Sequence, residues 1–329
     1  MNWNQRQVLV TGAGGFIGSH LSEKLVSLGA GVKSFIKYNS RNDIGLLKFT
    51  DGKILDQMEV VTGDFLDLAA IKTAMEGVDI VFHLGALISI PYSYVNPQHV
   101  ASVNIMGTLN VLTAARELGI KKIIHTSTSE VYGTAKKVPI DENHPLQGQS
   151  PYSASKIGAD KLAESFFCAF NLPVATIRPF NTYGPRQSAR AVIPTIISQT
   201  LTKDRITLGS LHPIRDFTFV DDTVNGFIKM AETPNVEGEV VNIGTGQEIS
   251  VGEIAELIIN IIGRNVPIVS ENARVRPGKS EVERLVCSSV KAENLLGWKA
   301  KTSLEEGLTQ TIHWIEKNLF FYSPGRYQI

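Results

Sequence analysis

The stretch Thr11-Gly12-Ala13-Gly14-Gly15-Phe16-Ile17-Gly18 sets three glycines, Gly12, Gly15 and Gly18, three residues apart. The apolar run Val8–Thr11 precedes it. Phe16–Leu28 follows, with Phe16, Ile17, Leu21, Leu25 and Leu28 along one helical side. Glycines by themselves only mark turns. Between a strand and a helix they predict a dinucleotide site: Gly12 permits the tight turn, Gly15 lets backbone approach a pyrophosphate, and Gly18 lets the helix pack close to the strand. The helix start, with Phe16 and Ile17 in its first turn, offers N–H groups and a positive dipole end to phosphate.

The first half keeps this rhythm. Val32–Ile36, Glu59–Thr62, Asp79–His83, Lys122–Thr126 and Val174–Arg178 read as nearly continuous apolar strands, as in a parallel sheet covered on both faces. Helices are expected near Leu68–Glu76, Pro97–Leu118 and Pro151–Phe170. That alternation predicts an α/β chain with a Rossmann-type doubly wound parallel sheet. After about Phe180 the rhythm breaks. Short strands (Ile206–Leu208, Phe217–Val220, Val240–Ile243) mix with helices (Ile193–Leu201, Asp222–Glu232, Val251–Ile262, Leu304–Asn318). Residues 1–180, rejoined by about 212–245, are therefore expected to form a cofactor domain. About 181–211 and 246–329 would form a smaller α/β lobe that binds substrate, and Phe321–Ile329 an irregular tail.

Lys plus Arg equals Asp plus Glu at 32 each, so no overall field recruits nucleic acid or an anionic membrane. Any anionic ligand must be held by locally placed cations. Cys168 and Cys287 stand in no disulfide or metal spacing; they read as two buried thiols, and no metal site is expected. Met1–Arg6 has no apolar signal core and no apolar run is long enough to span a bilayer, so the expectation is a cytoplasmic chain.

Ser150-Pro151-Tyr152-Ser153-Ala154-Ser155-Lys156 reads as a helix start, with Ser150 as N-cap and Pro151 at the first helical position. Tyr152 and Lys156, four apart, project from one face. A free tyrosine has a pKa near ~10, so a base working near neutrality needs a drop of about three units, roughly 4 kcal/mol. A nearby ammonium and a positive nicotinamide ring would both act in that direction. The strand before this helix ends in His125-Thr126-Ser127-Thr128-Ser129-Glu130-Val131-Tyr132-Gly133, rich in hydroxyls and carrying one carboxylate.

Together these segments resemble the extended branch of the short-chain dehydrogenase/reductase superfamily, the NAD-dependent epimerase/dehydratase family, from Val8 to about Trp314. The resemblance implies that Asp64 contacts adenine beside Phe65, and that His83-Leu84-Gly85-Ala86 adds Leu84 and Ala86 to the cofactor site. An NAD enzyme commonly ends its second strand with an acid for the ribose hydroxyl. Here no acid occurs until Asp43, while Lys37, Ser40 and Arg41 could hold a 2′-phosphate, so the balance favours NADP over NAD.

By the same resemblance Thr128 hydrogen-bonds the sugar hydroxyl being oxidised, Tyr152 removes its proton and Lys156 supports the phenolate. Thr128-Ser129-Glu130-Val131-Tyr132-Gly133 looks like GDP-mannose 4,6-dehydratase, where the glutamate removes the C5 proton; 4-epimerases usually carry a small or neutral residue there. The C6 hydroxyl would then leave as water, protonated by Glu130 or with help from Ser129, which stands where dTDP-glucose dehydratases have an aspartate. UDP-glucuronate decarboxylases share this stretch but differ at the tyrosine motif. Arg178-Pro179-Phe180-Asn181-Thr182-Tyr183-Gly184-Pro185-Arg186 resembles the branch's RPxNxYGP segment, with Pro179 near the nicotinamide and Asn181 and Arg186 at the nucleotide sugar. Arg215 (in Arg215-Asp216-Phe217) and Arg276 (in Arg276-Pro277-Gly278) match residues that reach the nucleotide phosphates; Val192 would line the base pocket, and Ser89 and Tyr92 would face the sugar.

Tyr38–Asp43, Pro91–Tyr94 and Asn181–Pro194 look most like the 4,6-dehydratases of bacterial legionaminic acid biosynthesis, which act on UDP- or GDP-linked N-acetylglucosamine. The readings in order are a nucleotide-sugar 4,6-dehydratase, a 4-epimerase, a UDP-glucuronate decarboxylase and, in another class, an inactive cofactor-binding regulator. A homodimer formed through Pro97–Leu118 and Pro151–Phe170 is implied by the resemblance alone.

Overall fold

The structure, a computed structural model, describes residues 1–322. In chain order the first strands are β1 (Gln7–Thr11), β2 (Gly31–Lys37), β3 (Met58–Gly63), β4 (Ile80–His83), β5 (Lys122–Thr126) and β6 (Val174–Pro179). β7 (Asn181–Tyr183), β8 (Ile206–Leu208), β9 (Ile214–Arg215) and β10 (Phe217–Phe219) follow. The last are β11 (Val240–Ile243), β12 (Ile249–Ser250), β13 (Ile268–Ser270) and β14 (Arg284–Leu285). The helices are α1 (Phe16–Ser27), α2 (Gly52–Leu55), α3 (Leu68–Met75), α4 (Ile90–Val95), α5 (Pro97–Ala101) and α6 (Gly107–Leu118). After them come α7 (Pro151–Phe170), α8 (Val192–Thr202), α9 (Val220–Glu232), α10 (Val251–Ile262), α11 (Val290–Leu296) and α12 (Leu304–Lys317).

The expected doubly wound sheet is present. It has seven strands in the order β11-β6-β5-β4-β1-β2-β3, and neighbouring strands pair in parallel throughout. Strands buried on both faces explain the unbroken apolar runs: Val8, Leu9 and Val10 are all fully buried. One face packs Leu9, Phe35, Val81 and Ile123 against α3, α6 and α7. The other joins α1, α8, α9, α10 and α12 in a single larger core. The chain reverses strand order between β1 and β4, so the carboxyl ends of β1, β4 and β5 open a crevice where ligands bind in such sheets.

Several elements differ from expectation. Pro97–Leu118 is not one regular helix: α5 and α6 are joined by a wider π-type turn, Ser102–Met106. Ser89–Val95 forms α4, with Ser89 as its cap and a proline in the first turn. Val220, expected to end a strand, begins α9. Within residues 212–245, β11 pairs with β6 in the main sheet, while β9 pairs with β12 and β14, and β10 with β7, outside that sheet. Phe321, assigned to the tail, packs on Phe49 with ring centroids 5.4 Å apart; residues 323–329 lie outside the described residues. Cys168 is exposed rather than buried, because it sits on the outer side of α7, whereas Cys287 is buried as expected. No helix among the described residues is long and apolar enough to cross a membrane.

Candidate active site

The glycine segment closes β1 onto α1. Gly12 has φ +71, and a Cβ there would lie 2.9 Å from Gly85 Cα at the end of β4. A Cβ on Gly18 would lie 2.2 Å from the Gly12 carbonyl oxygen, so this glycine lets α1 seat on the turn. α1 starts at Gly15 with no side-chain cap, leaving its first N–H groups to face the crevice. Phe16 and Ile17 are half-buried in that first turn. Phe65 wedges its ring against Gly85 and Gly107 and meets His83 edge-on at 5.9 Å. Leu84 and Ala86 line the same stretch, the former held by the Thr11 carbonyl at 3.3 Å. An uncapped helix start above a glycine floor fits a nicotinamide dinucleotide.

At the rim, Asn39 organises the loop after β2. Its Oδ1 accepts the N–H groups of Arg41 (3.1 Å) and Asp43 (2.9 Å), and its Nδ2 donates to the Asp43 carbonyl. Lys37, Ser40 and Arg41 are all exposed, and Lys37 Nζ lies 4.0 Å from Asp64. Asp64 also accepts the Leu66 N–H at 2.9 Å.

The hydroxyl cluster and the α7 face meet at the ends of β5 and β6. Ser150 caps α7 in a reciprocal pair with Ser153, Pro151 follows, and Tyr152 is 7% exposed. The Lys156 Nζ donates to the Thr126 carbonyl at 2.7 Å. Thr128 caps the short turn Ser129–Tyr132, accepting the Glu130 N–H at 3.2 Å, and Ser129 is buried. The expected fall of the Tyr152 pKa is not produced by the protein framework. Burial drives it up, the charges of Glu130 and Asp160 add to that, and only the Thr128 hydroxyl bond opposes them. Burial brings Lys156 down to about 8, against the pull of the Asp160 carboxylate.

Asp160, one turn beyond Lys156, escaped the sequence reading although its i+4 spacing put it on the same face. It receives bonds from His125 Nε2 (3.1 Å), Ser127 Oγ (2.7 Å), and Arg178 Nε (3.2 Å) and Nη2 (2.9 Å). Arg178 also donates to the Tyr132 hydroxyl at 2.9 Å, which donates to Asn242 at 2.7 Å. Burial pushes Asp160 up, but the His125 bond and the charges of Arg178, His125 and Lys156 reverse this and bring it to about 2. Asn104, in the π-type turn, was also missed. Its amide brackets Leu87 N–H and carbonyl and donates to Ser155 at 2.9 Å, joining the loop after β4 to α7.

On the substrate side, Pro179 ends β6, and Asn181 begins β7 with a buried Oδ1 that has no hydrogen-bond partner among the described residues. Arg215 is 6% exposed and feels the charges of Glu130, Glu281 and Glu283 as well as Arg276. Arg215 Nη2 and Arg276 Nη1 both lie 3.5 Å from Glu281 Oε1. Val192 is half-buried at the start of α8. Ser89 and Tyr92 have partners within their own segment: Ser89 Oγ accepts the Tyr92 N–H, and the Tyr92 hydroxyl bonds His99 Nδ1 at 2.9 Å. Arg186, expected at the nucleotide sugar, is directed elsewhere. Its backbone is left-handed (φ +68), and its buried Nη2 pairs with Glu23 on α1 at 2.6 Å and donates to the Phe49 carbonyl. A guanidinium so buried needs that counter-charge, which makes Arg186 a brace between α1 and the second half. No group of metal-ligating side chains occurs among the described residues.

The family described as GDP-mannose 4,6 dehydratase matches residues 9–311. UDP-glucose 4-epimerase of Mycolicibacterium smegmatis is 34% identical over 319 residues, covering 94% of this chain and 98% of that protein. dTDP-D-glucose 4,6-dehydratase of Mus musculus is 32% identical over 327 residues, covering 95% and 89%. Among solved structures, dTDP-glucose 4,6-dehydratase from Streptomyces venezuelae, with NAD bound, aligns with a TM-score of 0.85 at 28% identity, covering 96% of this chain and 99% of that one. Dehydratases and 4-epimerases alike are similar to this chain over nearly its whole length.

Proposed function

Since the chain belongs to the GDP-mannose 4,6-dehydratase family of nucleotide-sugar dehydratases and epimerases, we propose that it is a 4,6-dehydratase converting a nucleotide-linked hexose to its 4-keto-6-deoxy derivative. The observation that carries this reading is Glu130, whose charge acts on both the Tyr152 phenol and the Arg215 guanidinium. Glu130 sits on the short turn capped by Thr128, whose hydroxyl bonds the Tyr152 phenol, and removal of the C5 proton requires such a carboxylate.

The chain's own residues divide the work. Thr128 and Tyr152 hold the C4 hydroxyl, and Tyr152 takes its proton. Lys156, anchored on the Thr126 carbonyl, supplies positive charge to the phenolate. Glu130 takes the C5 proton and returns one to the departing C6 hydroxyl, with Ser129 beside it. Gly12, Gly15, Gly18, Phe65 and Asp64 hold a nicotinamide dinucleotide, which when bound supplies a temporary hydride acceptor. Lys37, Ser40 and Arg41 support NADP. Arg215, Arg276 and Asn181 hold the diphosphate of a UDP- or GDP-linked N-acetylglucosamine, and the active form is a homodimer.

Incubation with UDP- and GDP-N-acetylglucosamine and measurement of product mass tests this: loss of one water supports the dehydratase. An isomer of unchanged mass would establish the 4-epimerase reading, which the Mycolicibacterium relative favours. Glu130→Gln is expected to abolish water loss while reduced cofactor still accumulates; undiminished turnover overturns the role of Glu130.

A further inference from the structure

We propose that Glu281 is a resident counter-ion of the nucleotide-diphosphate site, which a ligand must displace, and that it thereby selects diphosphate esters over monophosphates. This rests on the assignment of Arg215 and Arg276 to the diphosphate. Both guanidiniums converge on one oxygen, Glu281 Oε1, and both stop at 3.5 Å. Well-formed bonds between such groups are about 2.7–2.9 Å, so the carboxylate neutralises the pair through long contacts and gives neither fork a bidentate partner; Arg215 has one long bond to it and a second to the Ile214 carbonyl at 3.0 Å. The buried Arg276 Nη1 makes no hydrogen bond among the described residues. With side chains 8%, 11% and 28% exposed for Arg215, Glu281 and Arg276, the arginines without a carboxylate would repel each other across a gap only partly screened by solvent.

The segment that carries the carboxylate is held in place, which gives Glu281 weight as a competitor. The preceding Ser280 Oγ donates to the Gln149 carbonyl at 2.6 Å and shares a hydrogen bond with the Tyr94 hydroxyl at 2.7 Å. Gln149 Nε2 donates back to the Lys279 carbonyl at 3.2 Å. Gln149 directly precedes Ser150, the cap of the helix that carries Tyr152. Lys279–Glu281 is therefore a strap between the arginine pair and the start of α7. A ligand gains only what it offers beyond Glu281. One phosphate group must serve both guanidiniums from a single set of oxygens, whereas two linked phosphates can give each arginine its own bidentate partner.

Calorimetric titration of the intact protein with UMP, UDP, GMP and GDP tests the proposal in the parent chain, Glu281→Gln and Glu281→Asp. Glu281→Gln is expected to tighten monophosphate binding by about tenfold, the size of one charge-assisted contact, and diphosphate binding by less. Glu281→Asp, which withdraws the carboxylate by one methylene, is expected to do the same to a smaller extent, so one folded variant suffices. A parent that prefers diphosphate with an unchanged ratio in a folded variant overturns this proposal alone. A parent that binds no nucleotide overturns it together with the nucleotide-sugar reading.

Discussion

The end of β5 and the end of β2 stand on the same carboxyl edge of one sheet but are built in opposite ways. Around β5, Lys156, Asp160, His125 and Arg178 are buried and bonded to one another or to backbone, and Tyr152 is buried with them. Around β2, Lys37, Ser40 and Arg41 stand in solvent, on a loop ordered by one asparagine. The first arrangement makes each charge expensive to change, because a buried group that loses its partner keeps its desolvation penalty. The second makes each charge cheap to change and weak in effect, because solvent and salt screen it. On the proposed function, chemistry falls to the dry region and the choice between NAD and NADP to the wet one.

The largest effect should come from the dry side. Tyr152→Phe removes the proton acceptor and should lower turnover by about 10²–10⁴-fold while nucleotide-sugar binding stays within a few-fold; steady-state and binding measurements separate the two. If binding falls as much as turnover, the cluster serves affinity and the contrast breaks. Next is Asp160→Asn, expected to cost about 3–5 kcal/mol in denaturant unfolding, because Arg178 is left buried without its counter-charge. Its pH signature has a definite sign. With Asp160 brought to about 2, below its unfolded value, its contribution is present above about pH 4 and fades as pH falls through about 2. The variant should lose that slope, and an unchanged acid unfolding curve would locate the acid sensitivity elsewhere. The smallest effect belongs to the wet loop. Lys37→Ala with Arg41→Ala should weaken NADP by about tenfold and NAD much less, a modest loss because both cations are exposed. Equal losses for the two cofactors would remove the 2′-phosphate from the argument.

The same contrast governs what the sequence makes legible. Buried strands announce themselves as apolar runs, and the glycine spacing and the four-residue step from Tyr152 to Lys156 bring Thr128, Glu130, Tyr152 and Lys156 into one cluster. Asp160 was equally readable by spacing, but nothing in a linear pattern says that a carboxylate is paired with an arginine 18 residues away. Arg186 shows the converse. Its motif was legible, yet one left-handed residue turns its side chain to α1. Short elements such as β9 and β14 exist only through their partners, so neither propensity nor period could reveal them.

The π-type turn Ser102–Met106 acts as a phase shift in a periodic object. One additional residue in a turn advances all that follows by about 100° relative to an ideal helix. α5 can thus keep its inner face on α7 while α6 turns a differently numbered set of residues, Val111, Leu112, Ala114 and Ala115, toward the sheet. Deleting one residue there would lengthen the regular helix and yet misdirect half of it: Asn104 would lose its grip on Leu87 and Ser155, or the α6 stripe would rotate off its core. Here the insertion is what keeps two interfaces in step.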